Sequence, residues 1–116
     1  MESYILLLHE SATPSKALSP DEMQAIIAKY KAWGQRLAEA GRLTGSNKLE
    51  HGSGRMVRGK AGEVRISDGP FTETKDVIGG YFMVKAENYD AAVDLCRDCP
   101  HLEFGGAIEV RRVEVV

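Results

Sequence analysis

The sequence predicts an α+β fold: a ferredoxin-like βαββαβ unit with an extra β-hairpin. Three observations carry this expectation. Periodic segments follow the order strand, helix, strands, strand, helix, strand, which suits two βαβ-like halves around an antiparallel sheet. One helix opens with a complete capping signature. Gly59-Lys60-Ala61-Gly62 separates two short runs with strand character, which marks a hairpin. The 116 residues fit a single domain spanning positions 1–116. A chain of this size buries roughly two-thirds of its extended-chain surface. With 43% apolar residues, it can fill that core without disulfides or metal.

Tyr4 to Leu8 is a continuous apolar stretch of strand length and reads as a buried central strand. Ser11 to Leu18 is a loop. Ser19, Pro20 and Glu22 then form a capping box: the Ser19 hydroxyl accepts from an orphan N–H and Glu22 reaches back. Met23, Ile26, Ile27, Tyr30, Trp33 (or Gly34) and Leu37 recur at helical spacing, so a helix runs from Pro20 to Ala40, with Gly41 as its stop. Leu43 to Glu50 reads as an extended strand. Met56–Arg58 and Glu63–Ser67 are the arms of the hairpin. Asp68 to Gly79 has no periodicity, and an ordered loop of that length is often functional.

Gly80 to Ala86 is a further buried strand. Asn88 caps a second helix that runs to Cys99, with Ala92, Val93 and Cys96 facing inward and Pro100 ending it. Ile108 to Val116 forms the last strand. Its apolar positions change phase at Val113, as a bulge would make them do. Two helices cover only one face of such a sheet. Tyr81 and Met83 alternate with Phe82 and Val84, so that strand is apolar on both sides. A homodimer with facing sheets is therefore expected.

Lys and Arg total 15 against 17 Asp and Glu, a net charge of -2. This balance lacks the basic excess of a nucleic-acid binder. The apolar run Ile5–Leu8 falls far short of the about 20 residues of a membrane helix and has no signal-peptide flanks. A cytoplasmic location and no membrane partner are expected.

Cys96-Arg97-Asp98-Cys99 has CxxC spacing, but the chain has only two cysteines and a structural zinc site needs four ligands. The pair lies at a helix C-terminus, where the dipole raises thiol pKa values instead of lowering them. It reads as structural, and neither a metal nor an organic cofactor is expected. His9, His51 and His101 are each chemically able to act as a base, but no spacing unites them. His9 stands out because it ends the central strand, where the sheet stops and pockets begin. Gly52-Ser53-Gly54 and Gly59–Gly62 match no phosphate-binding loop. Ser67 to Asp76 is the distinctive stretch: Asp68-Gly69 makes a tight turn, Pro70 stiffens it, and the Asp68 carboxylate leaves a strand end where it can face a pocket.

Asp68-Gly69-Pro70-Phe71, Glu73, Lys75 and Gly79-Gly80-Tyr81 together resemble the DGPF-type branch of the YCII-related proteins. Tyr4–Leu8, Ala40-Gly41, Arg55–Arg58, Cys99-Pro100 and Ile108–Arg111 are similar to that family as well, so the resemblance covers nearly the whole chain. Asp76 stands where the family usually has Glu, and Arg112 where it usually has Pro. The resemblance implies a dimeric α/β-barrel of ferredoxin-like protomers. Relatives in this superfamily include small enzymes such as muconolactone isomerase. Other YCII-related proteins carry a His and Asp pair in a pocket. DGPF members are often encoded near extracytoplasmic-function sigma factors.

The resulting expectation is a small-molecule pocket near Asp68. Asp68 and His9 are the catalytic candidates. Lys75, Tyr81, Arg55 and Arg111 are the candidates for binding an anionic substrate in cofactor-free isomerase, lyase or hydrolase chemistry. The alternative is a non-catalytic regulatory protein that acts on a sigma-factor-linked partner.

Overall fold

The computed structural model describes residues 1–12, 17–68 and 76–116. The elements are β1 (Glu2–Ser11), α1 (Pro20–Glu39), β2 (Leu43–Lys48), β3 (Arg55–Lys60), β4 (Glu63–Asp68), β5 (Asp76–Ala86), α2 (Tyr89–Cys96), a 3-10 turn (Pro100–Phe104) and β6 (Ala107–Arg112). One sheet has the strand order β2-β5-β1-β6 with every pair antiparallel, and β3 and β4 form a separate two-stranded sheet. With the hairpin set aside, the core strands lie fourth, first, third, second. This is the ferredoxin-like arrangement.

Local chemistry explains the element ends. The Ser19 side chain accepts from the Glu22 amide at 3.1 Å, and the Glu22 carboxylate accepts from the Ser19 amide at 3.0 Å. At the other end of α1, Arg42 N–H donates to Leu37 C=O and Gly41 N–H to Ala38 C=O. These bonds form a Schellman motif, with Gly41 at φ 73°. Asn88 caps α2 by accepting from the Ala91 amide at 2.9 Å.

Three boundaries differ from expectation. Helix α2 stops at Cys96, and Pro100 opens a 3-10 turn instead of following a longer helix. Its buried positions are Ala92 and Cys96, with Leu95 packed against the core, while Val93 is 40% exposed. The strand β6 has regular register from Ala107 to Arg112 and no bulge. The phase change at Val113 is where pairing ends, with one last bond from Val113 N–H to Ser3 C=O. Of the long stretch expected as a loop, Asp76 to Gly79 is already β5, and residues 69–75 lie outside the described residues, as do 13–16 of the earlier loop.

The core lies between the four-stranded sheet and the helices. Tyr4, Leu6 and Leu8 of β1 and Val84 and Ala86 of β5 point into it. Trp33 of α1 is 1% exposed and meets Phe82 edge-on at 4.8 Å, while its indole N–H donates to Asp98 at 3.1 Å. Each fully buried large apolar side chain contributes about 2 kcal/mol or more. Alternation along β1 sends Ile5, Leu7 and His9 to the opposite face. Among the described residues no helix covers that face, and the three side chains are half-buried.

Candidate functional site

The open face of the sheet is organised by cross-strand register. Leu7 lies opposite Tyr81 on one side and Glu109 on the other, and Ile5 lies opposite Met83 and Arg111. Directly opposed residues share a face. The open face therefore carries an apolar centre of Ile5, Leu7 and Met83, bordered by His9, Tyr81, Glu109 and Arg111.

A bulge sets the position of His9. Leu8 pairs with Gly80, but His9 pairs with Ile78, so Gly79 is the extra residue on β5. A Cβ at Gly79 would meet the Glu10 carboxylate, the end of a flexible side chain that can swing aside.

His9 Nε2 donates to Glu109 Oε1 at 2.8 Å. The other oxygen of Glu109 lies 3.6 Å from the Arg111 guanidinium. The His9 hydrogen bond, followed by the charges of His9 and Arg111, holds the Glu109 carboxyl below its ordinary range. An ionised carboxylate only accepts, so the His9 ring keeps its proton on Nε2. In the neutral ring this leaves Nδ1 as the basic atom, and Nδ1 has no hydrogen-bond partner among the described residues. His9 and Glu109 are 27% and 41% exposed, enough to meet a ligand. Tyr81 is held by Asn47, whose side-chain amide donates to its hydroxyl at 2.8 Å.

The remaining candidates divide. Asp68 faces Arg55 across the hairpin, in contact at 3.2 Å and 87% exposed. Both belong to the β3-β4 sheet, not to the sheet that carries His9. The carboxylate that meets His9 is thus Glu109 and not Asp68. Lys75 lies outside the described residues. Arg111 and Tyr81 share the open face with His9. No motif singles out Glu109. Its signal in the sequence is indirect: Ile108 and Val110 face the core, which turns Glu109 outward beside β1.

The other histidines have different surroundings. His101 is 5% exposed; its Nε2 donates to the backbone carbonyl of His9 at 2.6 Å, and Tyr30 donates its hydroxyl to Nδ1 at 2.8 Å. A Cβ at Gly106 would collide with this ring. Burial pushes the Tyr30 hydroxyl up to about 12, helped by Cys99, Glu10 and Glu103. His101 therefore ties α1 to the bulge that places His9. His51 Nδ1 lies 3.8 Å from Glu10 on the surface. Cys96 and Cys99 are free and buried; burial raises Cys96 to about 11 and raises Cys99 as well. Burial thus favours the neutral thiol at both positions.

Two surface clefts lie elsewhere, one of about 410 Å³ between Trp33 and Asp98 and one of about 490 Å³ beside Arg58 and Arg65. Among the described residues no cluster of three His, Cys, Asp or Glu side chains can hold a metal. Nor is any helix among them long and apolar enough to cross a membrane.

Two comparisons with known proteins cover nearly the whole chain. An uncharacterized protein of Rhizobium meliloti (strain 1021) is 29% identical over 110 residues, covering 93% of this chain and 89% of the relative. The YCII-related domain matches residues 4–116, nearly the full length. The chain belongs to the YCII-related family.

Proposed function

We propose that this protein binds a small anionic molecule on the open sheet face and moves a proton on it, with His9 as the base. The observation that carries this reading is the His9–Glu109 pair at 2.8 Å. A carboxylate on one ring nitrogen fixes the tautomer and stabilises the imidazolium that forms when the other nitrogen takes a proton. Arg111 supplies positive charge for an anionic substrate group, and Tyr81 offers an aromatic wall. In the reaction, the substrate C–H bond breaks, a proton joins His9 Nδ1, and the electron pair remains on the substrate as an enolate-like anion. Returning the proton to another carbon completes an isomerisation; in a lyase reaction the carbon electron pair forms the new double bond as the leaving group departs with its own pair and takes the proton from His9 Nδ1.

An uncovered sheet face is a poor place for this chemistry, because water weakens each of these contacts. A homodimer with facing sheets, the dimeric α/β-barrel, would cover Ile5, Leu7 and Met83 and enclose His9. Nothing in the proposed step calls for metal or an organic cofactor. Asp68 and Arg55, on the separate hairpin sheet, have no part in it unless a second chain brings them there.

The test is a thermal-shift screen of small keto acids, hydroxy acids and unsaturated lactones against wild type, His9→Gln and Glu109→Gln. A ligand that stabilises the wild type and loses about tenfold or more in affinity in both variants supports the site. A ligand whose affinity ignores both variants but falls in Asp68→Asn moves the site to the hairpin.

The regulatory reading, in which the protein acts on a sigma-factor-linked partner, needs a large exposed apolar surface. On the β3-β4 hairpin Val57, Val64 and Ile66 are exposed.

A further inference from the structure

Among the described residues the strands of the hairpin β3-β4 pair only with each other, and every residue from Arg55 to Asp68 is exposed except the half-buried Ser67. Register divides it into two faces. Val57 lies opposite Ile66, and Gly59 opposite Val64, on one face; Arg58 lies opposite Arg65, and Lys60 opposite Glu63, on the other. Val57, Val64 and Ile66 are 62%, 68% and 69% exposed. A lone two-stranded hairpin is marginal in water, so an apolar stripe on one face asks for a covering surface.

Two properties of this chain bear on the occupant. The first is area. The molecule exposes 8435 Å², against about 6,200 Å² for a compact chain of its mass. The excess, about 2,200 Å², comfortably exceeds the about 800 Å² that each partner gives to a standard interface. The radius of gyration agrees, at 16.1 Å against about 13 Å for a compact domain of this length. The second is charge. Residues 55–68 hold four basic and two acidic side chains, leaving eleven basic and fifteen acidic in the rest. The hairpin's surplus of +2 lies on the face turned away from Val57, Val64 and Ile66, where Arg58, Lys60 and Arg65 stand with Glu63, while the apolar face holds only the Arg55–Asp68 ion pair and so carries no net charge into a contact with a second copy.

We infer that β3-β4 is an intersubunit arm, with its Val57, Val64 and Ile66 face lying on the body of a second copy of this chain. Two-fold symmetry makes the exchange reciprocal, so both arms are covered at once. The inference goes beyond the dimer through facing sheets, because it assigns the arm a share of the association. It rests on residues separate from His9 and Glu109, so either assignment can fail alone.

The test is sedimentation equilibrium of the whole chain, wild type and a Val64→Asp/Ile66→Asp variant. Fluorescence of Trp33, the single tryptophan, reports that the body stays folded. The wild type is expected to dimerise and the variant to lose about a hundredfold in dimer affinity, since it places charge in an apolar contact. A milder Val57→Ala/Ile66→Ala variant, which keeps the hairpin uncharged, is expected to lose about tenfold. Hydrogen exchange across 55–68 is expected to slow as the wild type associates. A wild type that stays monomeric up to millimolar concentration overturns the inference and gives the arm to a different protein. A dimer of unchanged affinity in both variants overturns it too, and leaves association to the sheet face.

Discussion

Tyr4 and Tyr30 both reach into the core, and their hydroxyls predict opposite outcomes. The Tyr4 hydroxyl is buried with no partner among the described residues. Tyr4→Phe removes an unsatisfied group and is expected to hold or raise stability, by up to about 1 kcal/mol. The Tyr30 hydroxyl donates to His101, so Tyr30→Phe leaves a buried ring nitrogen unpaired and is expected to cost about 1–2 kcal/mol. Urea unfolding of both variants measures the contrast. The pH dependence follows the same residue. With its folded value raised to about 12, the contribution of Tyr30 is complete below the ordinary tyrosine value of 10.0. It is lost as the pH rises toward 12. Glu109 has the opposite sign, because its carboxyl is lowered: its contribution is present above the ordinary carboxyl range and lapses as the pH falls through the folded value. At this scale the sequence showed His9 but not its partner. A strand-end histidine is visible in one dimension, while the 2.8 Å contact needs the β1-β6 register, which no local spacing encodes.

Helix α1 illustrates what local chemistry can specify. Ser19, Pro20 and Glu22 fix its start and Gly41 its stop, all within a few residues, and both ends lie within one residue of expectation. Its middle carries Gly34, a buried glycine whose added Cβ would meet Phe82 at 3.5 Å, an ordinary contact. Gly34→Ala is therefore expected to raise stability by about 0.5–1 kcal/mol, by reducing the freedom of the unfolded chain. Thermal and urea unfolding check it, and a loss of stability would mean that the α1–sheet packing has no room for one methyl. Elements whose ends depend on tertiary partners were less legible. The apolar Val113 and Val115 gave β6 a longer reading than its pairing supports, since register with β1 ends at Arg112 and one further bond, from Val113 N–H to Ser3 C=O, follows. Val93 looked inward because its spacing suits a helix face. Leu95 takes that place because α2 is short and is followed by the turn at Pro100.

At the scale of the whole molecule, the strand order followed from the alternation of elements, and the extra hairpin followed from its turn. The sequence did not show that the hairpin leaves the sheet. Alternation of Val64 and Ile66 with charged neighbours looks the same whether the apolar face meets its own core or another chain. The His9–Glu109 pair likewise depends on the β1-β6 register, and it lies on a different sheet from Asp68. The proposed function requires that small anions meet the protein at His9. The direct measurement is an NMR titration of imidazole and backbone resonances with the anions found in the thermal screen. The prediction is shifts centred on His9, Tyr81, Glu109 and Arg111, with the His9 Nδ1 resonance moving most. Shifts centred on Arg55 and Asp68, with His9 silent, would contradict it.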